Sequence, residues 1–189
     1  MTGTAIRRLA RALLIGCSLV AGWQHALAQT DCAATPVTLK LRDTPLLDHR
    51  GRPMKFLTDL VERPGVSIVS FVYTGCQSYC PPASLIMQLV DGQADPAMRL
   101  ASVTIDPLGD RPEVLAVRAK DMGASERWSW LTGEPAAVFD LLDRVGISFG
   151  RIESHEVVFL VAGSGRMLRF RSLPDPDQLL CAARKLAAR

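Results

Sequence analysis

Two cysteines four positions apart, Cys76 and Cys80, carry the strongest chemical signal in the sequence. They stand in Tyr73-Thr74-Gly75-Cys76-Gln77-Ser78-Tyr79-Cys80-Pro81-Pro82, after a β-branched apolar run and before a segment with helical spacing. At that separation two thiols can face each other across about one helical turn. Two chemistries follow: reversible disulfide formation, and two-coordinate thiolate binding of a soft cation. A helix N-terminus serves both, because its unpaired N–H groups stabilise thiolate over thiol. Soft sulfur selects monovalent copper or zinc over magnesium or calcium, and one added imidazole extends the set to divalent copper. The competing reading is an inert bridge. A bridge closing so short a loop restricts the unfolded chain little, so the pair reads as functional.

The chain has three histidines, His25, His49 and His155. His25 falls in the N-terminal leader described below. His49 sits in the polar turn Asp48-His49-Arg50-Gly51, where a solvated surface role is the expectation. His155 follows Arg151-Ile152-Glu153-Ser154 and precedes an apolar run, and loops at strand ends are where α/β folds place their sites. On the residues alone, a ligand role and an ordinary surface role for His155 both stay open.

The elements that must position these groups are read from periodicity. Val37, Leu39 and Leu41 alternate with polar residues and predict a half-buried strand. Val66 to Tyr73 is nearly continuous in apolar and β-branched residues, which predicts a central strand buried on both faces. Leu85, Ile86, Leu89 and Val90 then recur at helical spacing after Pro81-Pro82, so the second cysteine lies near a helix start. Further on, the pattern predicts a strand over 99–105, a helix over 112–122 with Asp110 as its cap, a strand over 128–131 and a helix over 135–145. A hairpin of Val157 to Val161 with Met167 to Phe170 turns at Gly163-Ser164-Gly165, and Asp175-Pro176 opens a last helix. The alternation is α/β: a thioredoxin-like central sheet flanked by helices, with an N-terminal strand extension and a β-hairpin insertion. A thioredoxin-like arrangement puts cysteines where its first central strand meets the following helix, and this sequence has them there.

At the N-terminus, Arg7, Arg8 and Arg11 precede an apolar stretch from Ala12 to about Trp23 and then Ala26-Leu27-Ala28. This predicts a secretory signal peptide over 1–28, cleaved after Ala28, and a domain over 29–189 in the periplasm. Gln24 and His25 interrupt the run short of the ~20 residues that a membrane-spanning helix needs, so an uncleaved anchor ranks lower. Lipidation at Cys17 in Leu14-Ile15-Gly16-Cys17 also ranks lower, because the preceding apolar segment is short. The three leader arginines account for the excess of 22 basic over 19 acidic residues, so the domain itself carries no general attraction to nucleic acid or anionic lipid. Four cysteines remain beyond the leader. The close pair Cys76 and Cys80 separates from the distant pair Cys32 and Cys181, which in an oxidising compartment would tie the N-terminal segment to the last helix. No P-loop, dinucleotide fingerprint, Ser-His-Asp order or zinc-protease motif is present.

In order along the chain stand Phe71-Val72-Tyr73-Thr74-Gly75-Cys76 continuing to Cys80-Pro81, Thr104-Ile105-Asp106-Pro107 with Asp110, Leu131-Thr132-Gly133, and His155 before an apolar strand and glycine turn. This ordered set, over about residues 37 to 186, resembles the Sco (SenC-type) family of copper-binding, thioredoxin-like assembly factors for cytochrome c oxidase. The resemblance implies copper, as Cu(I) or Cu(II), held by Cys76, Cys80 and His155, with Asp106 and Asp110 in a loop near the site. It implies a metallochaperone whose partner is the copper-centre subunit of the oxidase or another periplasmic copper or thiol protein. The alternative is a thiol-disulfide oxidoreductase using Cys76 and Cys80 as its redox pair. Gln77 and Ser154 stand where the family often has proline and an acidic residue.

Overall fold

The computed structural model describes residues 32–147, 152 and 155–188. The expected signal peptide, the Cys17 lipidation motif, the cleavage after Ala28 and Ser154 lie outside the described residues.

Among the described residues eight strands form a single sheet: β1 (Thr35–Val37), β2 (Pro45–Asp48), β3 (Pro53–Lys55), β4 (Ser67–Val72), β5 (Arg99–Thr104), β6 (Trp128–Thr132), β7 (Phe159–Gly163) and β8 (Arg166–Phe170). The order across the sheet is β1-β8-β7-β4-β5-β6-β2-β3. The centre, β4-β5-β6, is parallel, with Ser67 opposite Arg99 and Ala101 opposite Ser129. β7 joins β4 antiparallel on one side and β2 joins β6 antiparallel on the other. Helices α1 (Cys80–Gln93) and α2 (Pro112–Asp121) make the two parallel crossovers, α3 (Pro135–Val145) leads out of β6, and α4 (Pro176–Ala187) closes the chain. A short π-helical segment, Leu57–Glu62, follows β3.

Strand alternation sorts the core into two layers. Ile68 and Val72 of β4, with Leu100, Trp128 and Trp130, face Met87 and Val90 of α1, Leu115 of α2 and Leu179 and Ala183 of α4. Val69 and Phe71, with Ala101, Val103 and Leu131, face Val138, Leu141 and Leu142 of α3 and Leu60 of the π-helical segment. All six β4 residues are buried, as the continuous apolar run predicts for a strand covered on both faces. The expected hairpin forms as a two-residue turn. Ser164 and Gly165 both have positive φ, the conformation whose twist matches that of the flanking strands.

Two local expectations are corrected. The alternating segment from Val37 to Leu41 pairs with the sheet only through Val37, although Leu39 and Leu41 still pack on the α3-side layer. The reason is register: Val37 lies opposite Met167, and β8 starts one residue earlier at Arg166, so no partner strand remains beyond it. Asp110 does not cap α2, whose N-cap is Arg111 without a side-chain bond. Its carboxylate is engaged elsewhere, as described below. The β2-β3 hairpin at the sheet edge is an addition that the sequence pattern did not predict.

Cys32 and Cys181 form a disulfide across 149 positions, tying the segment before β1 to α4. Among the described residues no helix is long and apolar enough to cross a membrane.

Candidate metal centre

Cys80 is the first residue of α1, and Cys76 lies in the connection that leaves β4. The helix start explains their pairing. An α-helix leaves its first four N–H groups without intrahelical partners, and Tyr79 at the N-cap supplies no side-chain bond. Pro81 and Pro82 have no N–H to satisfy, and the Ala83 N–H reaches the Tyr79 carbonyl at 3.0 Å. The Cys80 N–H is left, and it donates to Cys76 Sγ at 3.2 Å. Cys76 sulfur therefore takes the place of a capping oxygen, which holds it over the helix N-terminus. Ser78 Oγ lies 3.8 Å from the same sulfur.

His155 enters from the chain that precedes β7, 75 positions away in sequence, and its Nε2 stands 3.8 Å from Cys80 Sγ. Its Nδ1 is 2.9 Å from the Ile152 carbonyl. A carbonyl only accepts, so Nδ1 carries a proton and Nε2 is the ring nitrogen turned toward the sulfurs. Tyr73 and the imidazole pack in a T-shaped arrangement at a centroid distance of 5.8 Å. Ligand atoms of Cys76, Cys80 and His155 all lie within 4.8 Å of one another, and all three residues are buried. His155 and Tyr79 also line an open cavity of about 760 Å³ together with Arg171 and Leu173, so the cluster lies beside a solvent-reachable recess.

Both thiols are free of disulfide bonding, and their surroundings separate them. Burial pushes the Cys76 thiol up, but bonds from the Cys80 thiol, the Cys80 N–H and Ser78 outweigh it and leave its pKa below the ordinary value. Burial pushes the Cys80 thiol far up, and its bond to Cys76 adds to the shift. The two thiols therefore differ: the Cys76 site favours the thiolate relative to an ordinary cysteine, and the Cys80 site favours the thiol. Two sulfurs and one imidazole nitrogen form a donor set compatible with copper.

The other sequence candidates fall elsewhere. His49 does not join the cluster: its Nδ1 accepts from the Trp130 N–H at 3.1 Å and its own N–H donates to the Trp130 carbonyl at 2.8 Å, prolonging the β2-β6 ladder. Asp106 holds a turn, accepting from the Gly109 N–H at 3.1 Å. Tyr73 and the Ile152 carbonyl, which support the imidazole, are not among the residues expected at the site from the sequence. Tyr73 carried a signal in its position beside the cysteine segment, whereas a backbone carbonyl carries none.

A thioredoxin-like sheet with a Cys-x-x-x-Cys pair at the join of a central strand and helix, faced by a buried histidine, defines a thiol protein able to hold a soft metal. The sequence matches the SCO1/SenC family over residues 45–186, and the chain belongs to that family. Solved structures share the fold at low identity. A SCO1/SenC family lipoprotein from Bacillus anthracis str. Ames is 21% identical with a TM-score of 0.69, the match covering 80% of this chain and 97% of that one. ScoI from Arabidopsis thaliana, solved with copper bound, is 14% identical with a TM-score of 0.60, covering 83% and 99%. ScoI from Bradyrhizobium japonicum, also with copper bound, is 16% identical with a TM-score of 0.58, covering 80% and 98%. No curated protein sequence matches the chain.

Proposed function

We propose that this protein is a periplasmic copper metallochaperone that serves copper-centre assembly in cytochrome c oxidase, with the ion held by Cys76, Cys80 and His155. The observation that carries the reading is the fixed imidazole: the Nδ1–H bond to Ile152 aims Nε2 at Cys80 Sγ in a buried cluster with two free thiols. An inert thiol pair has no need of such an arrangement. Metal-ligating histidines are oriented through the other ring nitrogen in this way. Family membership supports an exported or membrane-associated location, and residues 1–28 have the pattern of a cleaved signal peptide.

In this reading copper is the cargo. Cys76 offers the first thiolate, and Cys80 gives up its proton as the ion binds, since the thiolate and not the thiol is the ligand. His155 completes the set and matters most for Cu(II). Release proceeds by exchange of the two thiolates for those of an acceptor, the copper-centre subunit of the oxidase or another periplasmic copper or thiol protein.

The asymmetry of the two thiols also favours a second reading as a thiol-disulfide oxidoreductase. Cys76 thiolate would attack a partner's disulfide, expelling one partner thiolate and forming a mixed disulfide. Cys80 would then attack Cys76 sulfur, releasing the second partner thiolate and leaving this pair oxidised. The experiment that separates the two is copper binding to reduced residues 29–189, measured by metal content and visible absorption beside Cys76→Ser, Cys80→Ser and His155→Ala. Near-stoichiometric copper with a sulfur-to-copper charge-transfer band, weakened by each substitution, supports the chaperone. Copper binding that ignores these residues, with ready cycling of the pair in a thiol buffer, overturns it in favour of the oxidoreductase.

A further inference from the structure

The Asp110 carboxylate is 1% exposed and, among the described residues, has no cationic partner. A buried carboxylate without a cation must be compensated by hydrogen bonds, and three donor groups reach this one. Thr74 N–H donates to Oδ2 at 3.1 Å, the Thr74 hydroxyl donates to Oδ1, and the Thr104 hydroxyl donates to Oδ2 at 2.6 Å. Thr104 Oγ1 in turn accepts from the Asp106 N–H at 2.9 Å, and the Asp110 N–H donates to the Asp106 carbonyl at 2.9 Å. The loop that carries Asp110 is itself tight. A Cβ on Gly109 would come within 2.5 Å of Asp106 Oδ2.

These bonds join two segments of different origin. Thr104 and Asp106 belong to the end of β5 and the turn after it, whereas Thr74 is 36 positions from Asp110, in the connection between β4 and Cys76. Thr74 donates both its backbone N–H and its hydroxyl to this one carboxylate outside its own segment. The Cys76 N–H reaches only the Tyr73 carbonyl, at 3.4 Å. Thr74 is therefore an anchored residue two positions before Cys76.

We propose that Asp110 is a positioning residue for the thiol pair: through its two bonds to Thr74 it sets where Cys76 sulfur sits over the N-terminus of α1, and so the distance between the two sulfurs and His155. The inference rests on the reading of this cluster as a copper site, and it reaches the cluster through residues that touch neither the metal nor a thiol. Charge-assisted bonds of this kind are stronger than neutral ones, and a free loop would let Cys76 leave its place beneath the Cys80 N–H.

The test uses residues 29–189 with the Cys76 and Cys80 thiols reduced and the Cys32–Cys181 bridge intact, and three variants: Asp110→Ala, Thr74→Val, which keeps the shape and removes one donor, and Thr74→Ser, which restores the hydroxyl. Two readouts are taken on folded protein at 25 °C: copper affinity with the charge-transfer spectrum, and the rate at which Cys76 and Cys80 of the metal-free protein react with iodoacetamide. The expected result is copper affinity about tenfold lower with an altered band in Asp110→Ala and Thr74→Val, several-fold faster alkylation in both, and Thr74→Ser close to wild type. If Asp110→Ala does not fold, the two threonine variants decide. Wild-type affinity, spectrum and alkylation rate in Thr74→Val overturn the inference even if its urea midpoint falls. If wild type binds copper without regard to the cluster, the copper reading fails, and the alkylation rates alone decide whether Asp110 positions the pair.

Discussion

Removing the Cys32–Cys181 disulfide is the perturbation whose size follows most directly from the structure. The bridge joins positions 149 apart, so in the unfolded chain it closes nearly the whole described domain into one loop. Loop-closure entropy grows with the logarithm of loop length, and for this separation the chain-entropy relation gives about 5 kcal/mol at 25 °C. That is comparable to the entire stability of many domains. The native state also draws on the bridge, because Cys32 is buried against the α1–α4 layer. The assay is urea unfolding of oxidised wild type beside Cys32→Ala/Cys181→Ala, the double change avoiding a leftover thiol near Cys76 and Cys80. Expected are a loss of about 3 to 5 kcal/mol, a Tm lower by roughly 10 to 20 °C, and a steeper urea dependence because the uncrosslinked unfolded chain exposes more surface. Copper stoichiometry of the folded variant stays at the wild-type level, since neither cysteine belongs to the metal cluster. A loss under about 1 kcal/mol would refute the reasoning, showing that the clasped segment opens independently of the core.

A second prediction concerns pH. Burial, with the neighbouring Arg50 charge, lowers the His49 pKa below its ordinary 6.5, and protonation would also remove the Nδ1 acceptor from the Trp130 N–H. A depressed histidine contributes stability that is complete above about pH 6.5 and lost as pH falls through the folded pKa, because the unfolded chain binds the extra proton first. Urea midpoints of wild type and His49→Gln between pH 7 and 5 should converge as pH falls, whereas parallel curves would remove His49 from the account. A third concerns the buried Ser102 hydroxyl, which is 3.0 Å from Ser70 Oγ and accepts from Trp128 Nε1 at 3.0 Å. Ser102→Ala leaves both partners unpaired in the core and should cost about 2 to 3 kcal/mol in a urea titration; a change below about 0.5 kcal/mol would show that the two regain partners.

Much of this architecture was legible because it rests on short-range rules. The run Val66 to Tyr73 could only be a strand covered on both faces, and Pro81-Pro82 before Leu85, Ile86 and Leu89 could only open a helix, so the thiol pair had to sit at their join. The β1 extension failed beyond Val37 because its length was set by where β8 begins, a matter of partner register that alternation in one segment does not encode. Asp110 read as a helix cap because a carboxylate just before Pro112 satisfies that local rule. Thr74 and Thr104, brought in by neighbouring parallel strands, offered it stronger bonds.

By itself, then, the sequence determined the order of elements, the placement of Cys76 and Cys80 at a strand–helix join, and the pairing class of the four cysteines, since periodicity, proline and spacing act within a few residues of chain. Only the tertiary structure decided the approach of His155 to Cys80 across 75 positions, the ring orientation held by Ile152, the loss of His49 to the β2-β6 ladder, and the anchoring of Thr74 by Asp110. Except for the Ile152 bond, which closes within one loop, these are contacts between segments distant in sequence that the sheet order makes neighbours, and no local pattern contains that geometry.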